Sequence, residues 1–145
     1  MTKIINLTGR IPCRIVIVIK HQQKSIMTEI KMKRAYEASD PSDGFRVYID
    51  RLWPRGLSRD EFYYNLWDKD ISPSTELREW FHADPENRWT QFEEKYMAEL
   101  KSSPAMAALA KLIFTKPVVT LLYSSRDEQH NNAVVVYNYL KQLES

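Results

Sequence analysis

The chain has 145 residues, 43% hydrophobic and 12% aromatic, with three glycines and seven prolines, which suits one packed domain and excludes a fibrous or disordered chain. The formal charge is +2, but residues 1–26 hold five basic residues and no acid, so the remainder has sixteen basic against nineteen acidic residues and a charge of −3. Proteins that clamp duplex DNA present a basic face on the folded body; a mildly acidic body argues against that partner.

The basic residues of the first segment are Lys3, Arg10, Arg14, Lys20 and Lys24, and the single cysteine, Cys13, lies there too. The rest of the chain therefore has no disulfide framework and no thiol for catalysis. With only His82 and His130 beyond residue 26, Cys/His zinc spacing is absent, and no metal or cofactor is expected. The apolar run Ile15 to Ile19 falls short of the about 20 residues of a membrane span and of the roughly 7–15 residues of a signal-peptide core. A cytoplasmic domain over residues 27–145, with no membrane association, is the expectation. For residues 1–26 three readings stand: a mis-called start with Met27 as the initiator, an extra edge strand from Arg14 to Lys20, or a targeting peptide.

In chain order, Ile30 to Tyr36 alternates and predicts a strand. A turn cluster follows with Asp40-Pro41 and Asp43-Gly44. Phe45 to Leu52 alternates again, with Phe45, Val47 and Ile49 on one face. The connection between these strands is too short for a parallel crossover, so as neighbours they would be antiparallel. Ser58 with Glu61 matches a capping box and predicts a short helix to about Trp67. Thr75 to Phe81 reads as a second short helix. Asp84-Pro85 and Ser103-Pro104 pair an N-cap with proline at the first helical position, opening helices to about Lys101 and Phe114. Val118 to Tyr123 is a continuous apolar run, as in a strand buried on both faces. A last helix is expected from about Gln129 to Leu143. The helical block can return the chain to a third strand parallel to the second. The fold class is thus α/β: a small mixed sheet of about three strands, the last pair parallel, with helices packed on it.

In open α/β sheets, ligands bind beyond the carboxyl ends of the strands. Two such ends run as Asp50-Arg51-Leu52-Trp53-Pro54-Arg55-Gly56 and Tyr123-Ser124-Ser125-Arg126-Asp127-Glu128-Gln129-His130-Asn131-Asn132. Parallel strands place both on one edge. Arg51, Arg55 and Arg126 offer planar forks of donors to a phosphate or carboxylate, beside a helix start that favours anions. Lys69, Arg78 and His82 are candidates to reach the same rim. Trp53 and Tyr123 are candidate stacking surfaces and Asn131 a candidate polar contact. Each has a plainer role as well: Trp53 in core packing, Arg51 in pairing with a surface acid, Asp127 as a helix cap, His82 capping its own helix. His130 and Asp127 are the proton-transfer candidates, and Ser124 and Ser125 become nucleophiles only with a base beside them. No phosphate loop, glycine-rich dinucleotide turn or nucleophile elbow is present.

The stretches from Lys33 (KRAYE, then SDGFRVYIDRLWPRGLS), from Leu66 (LWDKDISPSTELREWF) and from Val119 (VTLLYSSRDEQHNNAVV) resemble the YeaO-like family of uncharacterised bacterial proteins, a branch of the domain-of-unknown-function 488 group. The resemblance covers Glu29 to Leu143 and implies a compact cytoplasmic α/β domain with no settled activity. A related branch carries a Cys-His-Arg near the last strand–helix junction; Tyr123 and His130-Asn131 stand there instead, so a thiol-based or metal-based role does not carry over. The expected function is binding of an anionic small molecule, a phosphorylated metabolite or nucleotide, with catalysis open; the alternative is a module for single-stranded nucleic acid or a protein partner, without chemistry of its own.

Overall fold

The computed structural model describes residues 27–144, and the three readings for residues 1–26 lie outside them. The described chain forms four strands, β1 (Glu29–Arg34), β2 (Phe45–Tyr48), β3 (Leu66–Trp67) and β4 (Val118–Tyr123), and four helices, α1 (Thr75–His82), α2 (Pro85–Lys101), α3 (Pro104–Ile113) and α4 (Asn132–Glu144). The strands lie in the order β1-β4-β2-β3, and every pairing is parallel. The α/β class, the packed helices and the parallel pairing of β2 with β4 agree with the sequence.

The antiparallel pairing does not occur, because β1 and β2 are not neighbours: β4 lies between them. Residues 35–44 cross over β4 instead. Ten residues extend to about 33 Å, ample to span two strand spacings of about 4.8 Å each while returning along a short strand. The crossing is pinned in place: Thr120 Oγ1 donates to the Asp43 carbonyl (2.7 Å) and Lys31 Nζ to the Ser42 carbonyl (2.7 Å). Beneath it, buried Asp43 pairs with Lys33 (3.1 Å) and Arg46. Burial works to raise the Asp43 carboxyl, but the Asp40 amide and the two cations hold it below the usual range.

Strand alternation sorts the core into two layers. Val47, Ile49, Val119, Leu121 and Tyr123 belong to the large cluster with the buried side chains of all four helices. Tyr48 and Leu122 point the other way, into a smaller cluster with Ala35 and Phe62, edged by Trp53, Tyr64 and Trp67. Helices thus cover one face, and the crossover with an aromatic loop covers the other.

The helix expected after Ser58 is a single turn, Arg59–Glu61, with its capping box intact. The aromatic run Phe62-Tyr63-Tyr64 has low helix propensity, and Asn65 docks on β2, its amide donating to Arg46 O (2.8 Å) and its Oδ1 accepting from Arg46 N (2.7 Å). The chain therefore enters the sheet as β3. The final helix also starts later than expected. Asp127 Oδ1 accepts from the Gln129 and His130 amides in a local turn (2.9 and 3.0 Å), and Asn131 Oδ1 caps the helix on Val134 N (3.1 Å).

Candidate functional site

The carboxyl ends of β2 and β4 open into a cleft of about 380 Å³, closed on the helical side by the end of α1 and the start of α4. At its wall Asp50, just past β2, accepts from the Ser124 amide and hydroxyl at Oδ2 (2.9 Å each) and from Asn132 Nδ2 at Oδ1 (3.0 Å). One carboxylate thus ties the ends of two strands to the first residue of α4. Burial raises the Asp50 carboxyl above its usual range, against the pull of the Ser124 and Asn132 bonds and nearby His82. Trp67 Nε1 donates to the Asp50 carbonyl (2.7 Å), so β3 braces the same point.

Arg51 and Arg78 line this cleft. The Nε of each is enclosed and has no hydrogen-bond partner, and neither residue is in an ion pair among the described residues. Arg55 lines it as well, and Asp50 is the only acid among the lining residues. His82, in the last turn of α1, faces the same space; burial and then Arg78 lower its pKa, opposed by Asp50.

Of the other sequence candidates, Trp53 and Tyr123 line the cleft and are also packing residues. Trp53 Nε1 donates to Leu57 O (2.6 Å), and its ring meets Phe62 and Trp67 edge-on with centroids 5.4 and 5.6 Å away. Tyr123 is 4% exposed, and burial raises its phenol. Asn131 lines the cleft with its amide committed to the cap and to Asp127 O (2.8 Å). Arg126 sits in an adjoining hollow rather than in the cleft. Lys69 reaches neither hollow; its ammonium lies over the Trp67 ring, 4.2 Å from the centroid.

His130 and Asp127 are paired (Nδ1 to Oδ2, 3.1 Å) on the exposed rim. The Gln129 amide, then the His130 amide and ring, hold the Asp127 carboxyl below its usual range. His130 also contacts Trp89, ring centroids 4.9 Å apart. No hydrogen bond joins this pair to Ser124 among the described residues, whose hydroxyl is bonded to Asp50. Of the two serines, Ser124 is placed by Asp50 and Ser125 by its own turn, where its hydroxyl accepts from Asp127 N (3.1 Å). Among the described residues no group of three or more His, Cys, Asp or Glu is placed to hold a metal ion, and no helix is long and apolar enough to cross a membrane.

The sequence reading did not single out Asp50 as the anchor of this edge. Its partners lie 74 and 82 residues away, and nothing local marks an acid after a strand as anything but a surface charge. The enclosed, unpartnered Nε of Arg78 is equally invisible before α1 is set against β2 and β4.

A family model described as "Inactive DUF488-N3 subclade" matches residues 29–144. An uncharacterized protein of Mycobacterium tuberculosis is 42% identical over 113 residues, covering 78% of this chain and 94% of that protein, and one of Mycobacterium bovis matches to the same extent. The uncharacterized protein YeaO of Escherichia coli is 40% identical over 114 residues, 79% of this chain and 98% of that protein. No solved structure matches. With the family model spanning nearly all of the described chain and relatives matched over most of their own length, the chain belongs to the YeaO-like family of the DUF488 group.

Proposed function

We propose that the cleft at the carboxyl ends of β2 and β4 binds a small anionic molecule, a phosphate-bearing or carboxylate-bearing metabolite, without covalent chemistry. One observation carries the reading: Arg51 and Arg78 both line the cleft with an enclosed Nε that has no partner. A buried donor without an acceptor costs about 1–3 kcal/mol. A phosphate or carboxylate offers a guanidinium parallel, charge-assisted bonds, so an anion that turns each guanidinium far enough to open its enclosed Nε to the cleft removes that cost at two residues together. Three arginines against one acid give the cleft the matching charge.

Two further points favour binding over catalysis. Ser124, the best-placed hydroxyl, donates to a carboxylate and is hydrogen-bonded to no histidine among the described residues, while the His130–Asp127 pair stands on the rim. The family model is itself described as inactive.

The test is a thermal-shift panel of phosphate, carboxylate metabolites, nucleotides and short single-stranded oligonucleotides, each at low and high salt. Arg51→Met and Arg78→Met run beside the parent protein, since methionine keeps an unbranched apolar stem. A ligand at about 100 times its dissociation constant adds roughly 2.7 kcal/mol. The expected result is a small-molecule shift that survives salt and disappears in both variants. A shift confined to oligonucleotides, falling steeply as salt rises, makes the protein a single-strand binder instead. No shift with any anion removes the proposal.

A further inference from the structure

We infer that the ligand carries two anionic groups, the second held by Arg126 in a hollow that adjoins the first; this rests on the anion-binding reading of the main cleft. The second hollow, of about 570 Å³, is lined by Arg34, Tyr36, Arg55, Ser124 and Arg126. Tyr36, Arg55 and Ser124 line the main cleft too, so the two spaces are continuous along the strand ends.

The shared wall is held in place. Tyr36 Oη donates to the Arg55 carbonyl (2.7 Å), and Arg34 lies over the Tyr36 ring, 4.7 Å from its centroid. Arg34 also donates from Nε to Ser125 O (2.8 Å) and from Nη2 to Ser124 O (3.2 Å). It is thus a strut under the 124–125 turn that also adds positive charge. Arg55 and Arg126 have no such duty: neither guanidinium has an acid partner among the described residues. No acid lines the second hollow. A protein surface ordinarily intersperses both signs of charge; the linings of the two hollows together hold five arginines, Arg34, Arg51, Arg55, Arg78 and Arg126, against the one acid Asp50.

The two ends differ in physical character. Arg51 and Arg78 are partly buried, whereas Arg55 and Arg126 are exposed. Charges in contact with solvent are screened by salt and enclosed ones much less. The inner anionic group should therefore bind in a salt-tolerant way, and the outer should add affinity that salt removes. A compact molecule charged at both ends fits this arrangement; a mono-anion uses the inner half alone.

The probes are linear alkane bisphosphonates of increasing chain length, each compared with the alkane monophosphonate of equal length, by calorimetric titration of the full chain at low and high salt. At least one bisphosphonate should bind about tenfold or more tightly than its monophosphonate at low salt, with the advantage shrinking at high salt. Arg126→Gln should abolish that advantage and leave monophosphonate affinity unchanged, while Arg51→Met loses both probes. If monophosphonate binds in an Arg51-dependent manner but no bisphosphonate binds more tightly, the two-anion inference is wrong and the single anion site stands. The inference also falls if Arg126→Gln leaves the advantage intact. If neither probe binds the parent protein, the anion reading fails, and this inference with it.

Discussion

The entry of the crossover into β2 depends on Gly44, and substituting it separates two effects that glycines usually combine. Gly44 has φ +65° and ψ −132°, a region that side chains disfavour. A methyl group there would also lie 2.3 Å from Val118 O, 2.7 Å from Val118 Cβ and 2.9 Å from Val118 C, all atoms fixed at the start of β4. Gly56 has φ +87° but would meet nothing within 4 Å. Gly56→Ala should therefore cost only the positive-φ strain, about 1–2 kcal/mol. Gly44→Ala carries a similar strain plus an overpacking cost of about 1–3 kcal/mol, because two of the three obstructing atoms are backbone of Val118, held in β4 by its pairing with β1. At about 4 °C per kcal/mol for a domain of this size, the expected losses in Tm are about 14 °C for Gly44→Ala and about 6 °C for Gly56→Ala. Urea unfolding followed by circular dichroism gives both free energies and checks that the slope with denaturant is unchanged. Equal destabilisation by the two substitutions would refute the close-approach argument, leaving backbone conformation as the whole effect.

Arg78→Met should stabilise the ligand-free protein by about 1 kcal/mol, because it removes an enclosed donor that has no acceptor; a lower Tm in a melt without added anions would contradict the unpaired state of that arginine. Burial raises the Asp50 carboxyl, so its favourable contribution is present at low pH and is lost as pH rises through the raised value. Asp50→Asn, which Asn132 can accommodate by turning its amide, should accordingly gain stability relative to the parent as pH goes from about 4 towards neutrality in a urea series; a trend of the opposite sign would refute the raised carboxyl. Tyr96→Phe should cost about 1–3 kcal/mol, since the buried Tyr96 hydroxyl donates to Ile71 O (2.7 Å) and its loss strands that carbonyl; a neutral effect in thermal melts would show that the bond adds nothing.

Much of the helical layer was readable because its signals are local. Ser103 accepts from Met106 N with Pro104 behind it, and β4 spans the same Val118–Tyr123 as its apolar run. The features that were not readable depend on partners far away in sequence. A strand of two residues has no periodicity, and β3 exists because Asn65 finds Arg46. The strand order eluded a rule about loop length because that rule presumes neighbours. At the site, Arg51, Arg55 and Arg126 stand out as residue types beyond strand ends, whereas Arg78 is a candidate only as a cation of the helical block within reach of the same rim. Lys69 was an equally good candidate by type, yet Trp67 occupies it. Proximity in sequence could not distinguish them, because the orientation of α1 against the sheet decides which cations face the cleft.

The central position of β4 has a consequence for how the protein is made. Among the described residues β1 pairs only with β4, and β2 pairs with β4 and with the two-residue β3. While the chain emerges from the ribosome, β1 has no partner among the described residues until Val118–Tyr123 follow, some 90 positions later. Such long-range closure is slow, and nascent domains with unpaired strands expose edges that invite wrong partners. The helices α1, α2 and α3 can form meanwhile, but the surface they pack on does not yet exist. A chain stopped before Val118 would hold β1 apart from the short β2–β3 pair, with nothing to join them, so the full sheet, its two covering layers and the cleft at its edge should all appear together, late, in one cooperative step.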